Sequence, residues 1–239
     1  MQFSIPSHRI IPIERAELRL DPRPHELELT STEAIDAHWL TEKAARPEIH
    51  DGRIALFSRL TWEEGVLLGT CHITRYATFL YWRGGAQRER AAHLYAHAVL
   101  VAADGRLVAV RMSGHTLNAG RVYFAAGSLE PEDFPGETAD LDGNMRREVL
   151  EETGFDLAEL EAEPFMHALS IETGTVVFRR YLSRLSAEEL AERIAAHVAT
   201  EAEPEITGPV IIERPDPEGI DLSPQMPGIL RWHFSGSGS

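Results

Sequence analysis

Residues 147–155 read Arg-Glu-Val-Leu-Glu-Glu-Thr-Gly-Phe. Gly154 predicts the end of a helix, because glycine readily adopts the left-handed conformation that closes a C-terminus. Upstream, Asp140 and Asp142 offer side-chain oxygens to the free amides of a helix start. The sequence therefore predicts a helix of about three turns between these signals.

Three glutamates of the predicted helix share one face, because Glu148, Glu151 and Glu152 are spaced i, i+3 and i+4. Like charges at this spacing repel each other, and each pair costs about 0.2–0.5 kcal/mol. A hard divalent cation would turn this repulsion into attraction, and Mg²⁺ prefers oxygen ligands that it shares with substrate phosphates. For the three glutamates alone, a solvated acidic helix face is the alternative interpretation.

The whole stretch resembles the second half of the Nudix box, whose pattern is Arg-Glu-apolar-any-Glu-Glu-any-Gly-apolar. Every fixed position of that pattern is filled, by Arg147, Glu148, Val149, Glu151, Glu152, Gly154 and Phe155. Seven specified positions within nine residues are hard to meet by chance.

The first half of the box is only partly matched. Gly127 and Asp133 have the family's glycine-to-glutamate spacing, with aspartate in place of glutamate. Thirteen residues then separate Asp133 from Arg147, six more than in the family pattern. A second frame uses Gly136 and Glu137 but puts a proline at the upstream glycine, so the Gly127 frame is preferred.

The resemblance implies a hydrolase that needs Mg²⁺, which Mn²⁺ can replace. Its substrate would be a nucleoside diphosphate linked to another moiety, such as a nucleotide sugar, and it would cut within the pyrophosphate. In that case Glu148, Glu151 and Glu152 hold the metal ions, and Arg147 orients a glutamate on the neighbouring turn. Gly127 would let the backbone approach the helix and the metal closely.

The general base is left open, because in the resembling family it comes from the box helix or from a later loop. The candidates in later loops are Glu172, Glu203 and Glu205. Arg179 is a candidate phosphate contact, since arginine binds phosphate in a bidentate manner. An arginine paired with nearby glutamates at the surface is the equally plain alternative.

The resemblance also implies an α+β fold, a Nudix-type α/β/α sandwich on a mixed sheet, and the alternation of strand and helix patterns from residue 93 onward agrees with it. We divide the chain into a β-rich N-terminal subdomain with one helix (1–88), a Nudix hydrolase domain (89–215) and a C-terminal segment with a flexible glycine/serine tail (216–239). The aromatic-rich amphipathic segment 74–82 is interpreted as core.

Three other interpretations stay open. Asp140 to Glu151 also follows the ligand spacing of an EF-hand loop, although Met145 stands where that loop needs glycine. His93 and His97 lie on one face of a predicted strand and could form part of a zinc site, but no third ligand is evident. A Nudix-fold module that binds or senses a nucleotide without cutting it is the alternative function.

Composition limits the classes of function further. The 239 residues carry a net charge of −15, which argues against a nucleic-acid-binding surface. Cys71 is the only cysteine, so intramolecular disulfides are excluded. No signal-peptide pattern is present, and the longest apolar run, 96–103, is too short to cross a bilayer, so we expect a cytoplasmic protein without membrane or nucleic-acid partners. The number of subunits stays open, a homodimer included.

Overall fold

The computed structural model describes residues 2–85 and 87–236, and these residues form two β-sheets with helices packed around them. The strands are β1 (Phe3–Ser4), β2 (Ile10–Ile13), β3 (Arg15–Leu20), β4 (Arg53–Glu63), β5 (Val66–Arg75), β6 (Leu94–Val101), β7 (Leu107–Met112), β8 (Val122–Tyr123), β9 (Glu161–Ala162), β10 (Met166–Ile171), β11 (Gly174–Leu182) and β12 (Ile206–Ile212). The helices are α1 (Glu26–Thr30), α2 (Thr32–Ala45), α3 (Tyr76–Arg83), α4 (Leu141–Thr153), α5 (Ala187–Val198) and α6 (Met226–Phe234).

The smaller sheet has the strand order β1-β4-β5-β3. Its centre is the antiparallel hairpin of β4 and β5, which turns at Glu64 and Gly65, both with positive φ. Gly65 suits this turn because glycine adopts such angles without steric cost. Strands β1 and β3 pair in parallel with the two outer edges of the hairpin.

The larger sheet has the order β12-β7-β6-β11-β10-β2, with β8 beside β7 and β9 beside β11. The central strands β6 and β11 run parallel, and the other pairs are antiparallel, so the sheet is mixed. Strand β6 is almost entirely buried, which its near-continuous apolar sequence predicts for a strand covered on both faces.

Helices cover both faces of the larger sheet. The Phe178 ring of β11 lies against Trp232 of α6, with ring centroids 5.2 Å apart. Three residues along the same strand, the Tyr181 hydroxyl lies 3.7 Å from Met145 Sδ of α4. Because side chains alternate along a strand, α4 and α6 lie on opposite faces. The predicted α/β/α sandwich on a mixed sheet is confirmed.

The N-terminal segment takes part in both sheets. Strand β2 pairs antiparallel with β10 at one edge of the larger sheet, and Ile11, Phe57 and Leu94 belong to one apolar cluster that spans both sheets. A second, smaller cluster forms beneath α3 around Leu27, Leu56 and Phe79. The division of the chain near residue 88 stays a prediction.

The C-terminal segment contains a helix that its prolines conceal in the sequence. Helix α6 has its proline in the first turn, where proline is compatible with a helix because the amide there needs no partner. The predicted flexible tail extends to residue 239, and residues 237–239 lie outside the described residues. Within the described part of the chain, no helix combines the length and the apolar character needed to cross a bilayer.

Candidate functional site

Helix α4 begins and ends where its sequence predicts. The Asp140 carboxylate accepts a hydrogen bond from the Gly143 amide at 2.9 Å, and Gly154 closes the helix with φ 72°. The stretch that follows EF-hand spacing is therefore helix from Leu141 onward, so the EF-hand interpretation is wrong. The helix presents Glu148, Glu151 and Glu152 towards one side, as predicted for its spacing.

Gly127 lies directly against the box helix. A Cβ atom placed on Gly127 would overlap the Glu148 carboxylate, so any larger residue would displace that side chain. By contrast, a Cβ atom on Gly136 would meet no atom within 4 Å. The close approach therefore supports the frame that starts at Gly127.

The six extra residues between Asp133 and the helix form an excursion. The Asp140 amide donates to the Asp133 carbonyl at 2.8 Å, so the chain returns at residue 140 to the point that it left at 133. Between these points residues 134–139 reach β3, where the Leu20 amide donates to the Glu137 carbonyl at 2.8 Å and the Ala139 amide to the Leu18 carbonyl at 2.9 Å. The lengthened loop thus ties the box helix to the N-terminal segment.

Arg147 is surrounded by acidic side chains. Its guanidinium lies 2.8 Å from Glu148 Oε1, 3.2 Å from Asp133 Oδ2 and 3.4 Å from Glu151 Oε2. Asp133 is buried and also accepts from the Glu130 amide at 2.8 Å and the Asn144 side chain at 3.0 Å. Asp133 therefore anchors Arg147, which in turn fixes the Glu148 carboxylate.

Burial and mutual repulsion perturb two of the box glutamates. Burial raises the pKa of Glu148 to about 8; Arg147 opposes this, while the neighbouring carboxylates add to it. Burial also raises the pKa of Glu152 well above its usual range, helped by the charges of Glu148 and Glu205. Glu152 Oε2 is buried and has no hydrogen-bond partner in the described chain. Glu151 differs, because 60% of its side chain is exposed.

The box glutamates line an acidic cleft of about 760 Å³. Its walls come from α4, the 201–205 segment and the N-terminal residues 48–54. Nine glutamates line it: Glu48, Glu130, Glu132, Glu148, Glu151, Glu152, Glu201, Glu203 and Glu205. The 201–205 segment is held in place at Ser113, whose amide donates to the Glu205 carbonyl at 2.8 Å and whose hydroxyl donates to the Pro204 carbonyl at 2.7 Å.

A second, aromatic cavity of about 280 Å³ adjoins the acidic cleft. Glu152, Glu205 and Tyr76 line both spaces, so they mark the junction. The aromatic side chains of the cavity are Tyr76, Phe79, Tyr95 and Tyr123, and its basic side chains are Arg83, His93 and Arg121. Three of these residues belong to α3, so the N-terminal segment builds one wall of the cavity.

The two histidines of β6 are bound within the protein. His93 Nε2 lies 2.9 Å from the Ser128 hydroxyl, and burial lowers the pKa of His93 to about 3. His97 is hydrogen-bonded at both ring nitrogens, to the Phe124 carbonyl at 2.8 Å and to Gln225 at 3.1 Å. His97 therefore has no ring nitrogen available for zinc, which argues against the zinc interpretation.

The sequence matches no protein-family model and no curated protein. The chain is similar to several solved structures. For DR0079 from Deinococcus radiodurans the identity is 16%, the coverage 59% of this chain and 83% of that one, and the TM-score 0.41. The NUDIX domain of Shewanella oneidensis NrtR complexed with ADP ribose is 12% identical. The match covers 67% of this chain and 98% of that one, with a TM-score of 0.40. A C. elegans Ap4A hydrolase binary complex is 16% identical. The match covers 60% of this chain and 98% of that one, with a TM-score of 0.40.

The arrangement of the box residues decides the type of fold. Gly127 lies against Glu148, the glutamates project from α4, and α4 packs on a mixed sheet that α6 covers from the other face. These layers, the mixed sheet and the close approach of Gly127 to Glu148 are those that the Nudix resemblance predicts. In this fold the structure brings the later-loop residues Glu203 and Glu205 to the same cleft as the box glutamates.

Two candidate residues lie away from the cleft. Glu172 is 74% exposed and contacts His8 at 2.7 Å, outside both the cleft and the aromatic cavity. Arg179 binds Asp142 at 2.7 Å and lines a separate surface depression beside Ala139 and Arg15. The plain alternative for Arg179, a surface arginine paired with an acidic side chain, matches this geometry.

Sequence reasoning missed the contribution of α3. Tyr76, Phe79 and Arg83 are spaced i, i+3 and i+7, which places them on one helical face. The interpretation of segment 74–82 as core holds for Phe79, Leu80 and Trp82, which are buried in the smaller apolar cluster, and Phe79 also borders the cavity. The helical spacing of Arg83 from Tyr76 and Phe79 was the sequence signal that could have predicted one mixed aromatic and basic face of α3.

Proposed function

We propose that the chain is a metal-dependent hydrolase that cleaves the pyrophosphate of a nucleoside diphosphate linked to another moiety, such as a nucleotide sugar. The observation that carries the proposal is the environment of Glu152. This carboxylate is buried at the junction of the acidic cleft and the aromatic cavity, and its Oε2 has no hydrogen-bond partner in the described chain. A buried polar atom without a partner is costly and calls for a ligand that the chain itself does not supply.

The donor set suits Mg²⁺ or Mn²⁺, because both prefer carboxylate oxygens. Among residues 2–85 and 87–236, no three His, Cys, Asp or Glu side chains already stand close enough together to enclose a metal ion. Glu148 is held by Arg147 at 2.8 Å, and Glu151 points to solvent. Rotation of these two side chains towards Glu152 would complete the ligand set that the proposal requires.

When bound, the cation would neutralise the charge of the diphosphate and activate a water molecule for attack. The chain's own residues would position the reaction. Arg147, fixed by Asp133, limits where the Glu148 carboxylate can move. Glu203 and Glu205 lie across the cleft from α4, where either could accept the proton of the attacking water.

The aromatic cavity suits the nucleoside. Tyr76 and Phe79 lie with ring centroids 5.5 Å apart, and Tyr95 and Tyr123 line the same space. Flat apolar faces of this kind bind ring systems. With the ring there, the attached diphosphate would reach Glu152 at the junction.

A nucleotide-binding module without hydrolysis is the second candidate. One observation favours it: the Arg147 guanidinium already lies 2.8 Å from Glu148 Oε1, so that carboxyl group has a partner without any cation. A binder of this kind would hold a nucleotide in the aromatic cavity and leave it uncut.

A turnover screen separates the two functions. Nucleoside diphosphate sugars, dinucleoside polyphosphates and nucleotide cofactors are incubated with the protein and Mg²⁺, with a chelator in the matched control. We expect cleavage of a phosphoanhydride that the chelator abolishes, and slower release of phosphate from a nucleoside monophosphate. Full activity in chelator would refute metal dependence, and a nucleotide that is bound but recovered uncut would favour the binding module.

A further inference from the structure

The aromatic cavity contains two arginines that have no acidic partner. Arg83 and Arg121 both line it, and neither forms an ion pair with a carboxylate in the part of the chain that the structure describes. In the neighbouring cleft, by contrast, Arg147 contacts four acidic side chains.

Arg83 is held in position rather than free to turn to solvent. One of its Nη atoms donates to the Asn118 side-chain oxygen at 3.0 Å, and its guanidinium lies 5.9 Å from the centre of the Phe79 ring. Asn118 is fixed in turn by the Tyr123 hydroxyl at 3.4 Å. One hydrogen bond leaves most of the five N–H donors of an arginine available to a ligand.

The two arginines also work against each other. Burial lowers the pKa of Arg83, and the nearby positive charge of Arg121 lowers it further. Both side chains are only partly exposed, and like charges that line one cavity are unfavourable unless a negative group lies near them. Glu148 and Glu151 line only the acidic cleft, which neither arginine lines, so a diphosphate held in that cleft leaves the arginines to a second group.

We propose that Arg83 and Arg121 bind a second anionic group of the ligand, a phosphate or a carboxylate separate from the diphosphate. This inference rests on the proposed function for the position of the diphosphate. The substrate is then a nucleoside diphosphate derivative with one further anionic group on the part that enters the aromatic cavity. Helix α3 of the N-terminal segment, which the Nudix resemblance does not cover, determines this specificity.

The first test needs neither metal nor hydrolysis. Inorganic phosphate is titrated into the protein in chelator, with sodium chloride at equal ionic strength as the reference, and the melting temperature is recorded. The acidic cleft repels phosphate under these conditions, so a saturable stabilisation reports the arginines. We expect it in the parent and in the exposed control Arg214→Gln, and expect its loss in Arg83→Gln and Arg121→Gln. Equal stabilisation in all four proteins would overturn the proposal.

The second test compares ligands that differ by one anionic group. NADP⁺ with NAD⁺ tests a phosphate on the nucleoside, and UDP-glucuronate with UDP-glucose tests a carboxylate for the reverse orientation, with the sugar in the cavity. Binding is measured by calorimetry in chelator. We expect the parent to prefer the charged member of one pair by about tenfold, the scale of a charge-assisted hydrogen bond. Arg83→Gln should abolish this preference, and Arg83→Lys should retain part of it.

The outcomes separate this inference from the proposed hydrolysis. A charge preference that depends on Arg83 supports the inference even if no ligand is ever cut. If Arg83→Gln instead weakens both members of each pair equally, the arginines bind the shared diphosphate and the inference is wrong. An absent preference in both pairs, together with phosphate-insensitive melting, would also overturn it.

Discussion

At the scale of single residues, the positions of Glu148 and Glu152 raise the pKa of both carboxyl groups. Both side chains are largely removed from water, and both have a raised pKa because burial disfavours the charged form. Such perturbed carboxylates in a cleft mark a functional-site candidate, since structural carboxylates are normally paired. The acidic side chains of α4 should therefore be more stable with a bound cation than in the metal-free protein.

Glu152→Gln should separate catalysis from stability. Removal of a metal-binding carboxylate commonly costs about two orders of magnitude in turnover, so we expect at least that loss. In chelator the melting temperature should equal or slightly exceed that of the parent, because burial already disfavours the charged form that glutamine removes. Steady-state kinetics and thermal unfolding measure the two effects.

The control for this substitution is Glu192→Gln, at an exposed position on α5. It should change neither quantity. An inactive Glu152→Gln protein that also melts far below the parent in chelator would show that the carboxylate is structural.

Glu148 should make the metal-free protein less stable as the pH rises. Its pKa of about 8 in the folded state lies above the ordinary value of 4.5, so between these values the folded state keeps a proton that the unfolded state has lost. The stability from this proton is complete below about pH 4.5 and disappears as the pH passes 8, an effect on the order of a few kcal/mol.

Urea unfolding in chelator at pH 5 and pH 8 tests this dependence. The free energy of unfolding should fall more between these pH values in the parent than in Glu148→Gln. Mg²⁺ should flatten the dependence in the parent, because a cation favours the charged carboxylate. Identical pH dependence in the two proteins would contradict the raised pKa.

At the scale of elements, the site depends on how the 127 loop meets α4. The loop supplies no charged group at Gly127 itself, and its contribution is the absence of a side chain where the Glu148 carboxylate lies. The excursion 134–139 does not alter this contact, because Asp140 is hydrogen-bonded to Asp133 and the chain therefore resumes where the excursion began.

Gly127→Ala should therefore damage the site while the fold persists. The added methyl group must displace the Glu148 carboxylate, and the fold can accommodate this shift because the displaced group is the far end of a flexible side chain. We expect turnover to fall at least tenfold, since a small displacement of a catalytic group is costly. Gly136→Ala is the matched control, because space around that residue is open, and it should keep full turnover. Equal turnover in both variants would mean that Glu148 tolerates displacement.

The sequence predicts elements whose signals are local. Helix α4 follows from Asp140 and Gly154, and the β6–β7 hairpin from Asp104 and Gly105, because capping and turn chemistry act within a few residues. The cluster of Glu203 and Glu205 with the box helix was also predicted as a candidate. The contribution of Arg83 to the cavity was not predicted. Its hydrogen-bond partner Asn118 lies 35 positions further along the chain, so no local pattern reveals the contact.

At the scale of the whole molecule, the N-terminal segment and the remainder of the chain form one connected structure. Strand β2 lies at the edge of the larger sheet, β3 pairs with the excursion at Thr138, and one apolar cluster spans both sheets. The cleft and the aromatic cavity each take a wall from the N-terminal segment. Ligand binding at α4 should therefore stabilise residues on both sides of position 88.

We expect the chain to unfold in one cooperative transition that Mg²⁺ shifts as a whole. Three of the four tryptophans, Trp39, Trp62 and Trp82, lie in the N-terminal segment, so the fluorescence of a Trp232→Phe variant reports that segment alone. Its midpoint in urea should coincide with the midpoint from far-ultraviolet circular dichroism, which follows all helices. Mg²⁺ at about one hundred times its Kd should raise both free energies of unfolding by about 2.7 kcal/mol. If the fluorescence transition is separate and does not respond to Mg²⁺, the N-terminal segment is an independent domain, and α3 cannot be a fixed wall of the binding site.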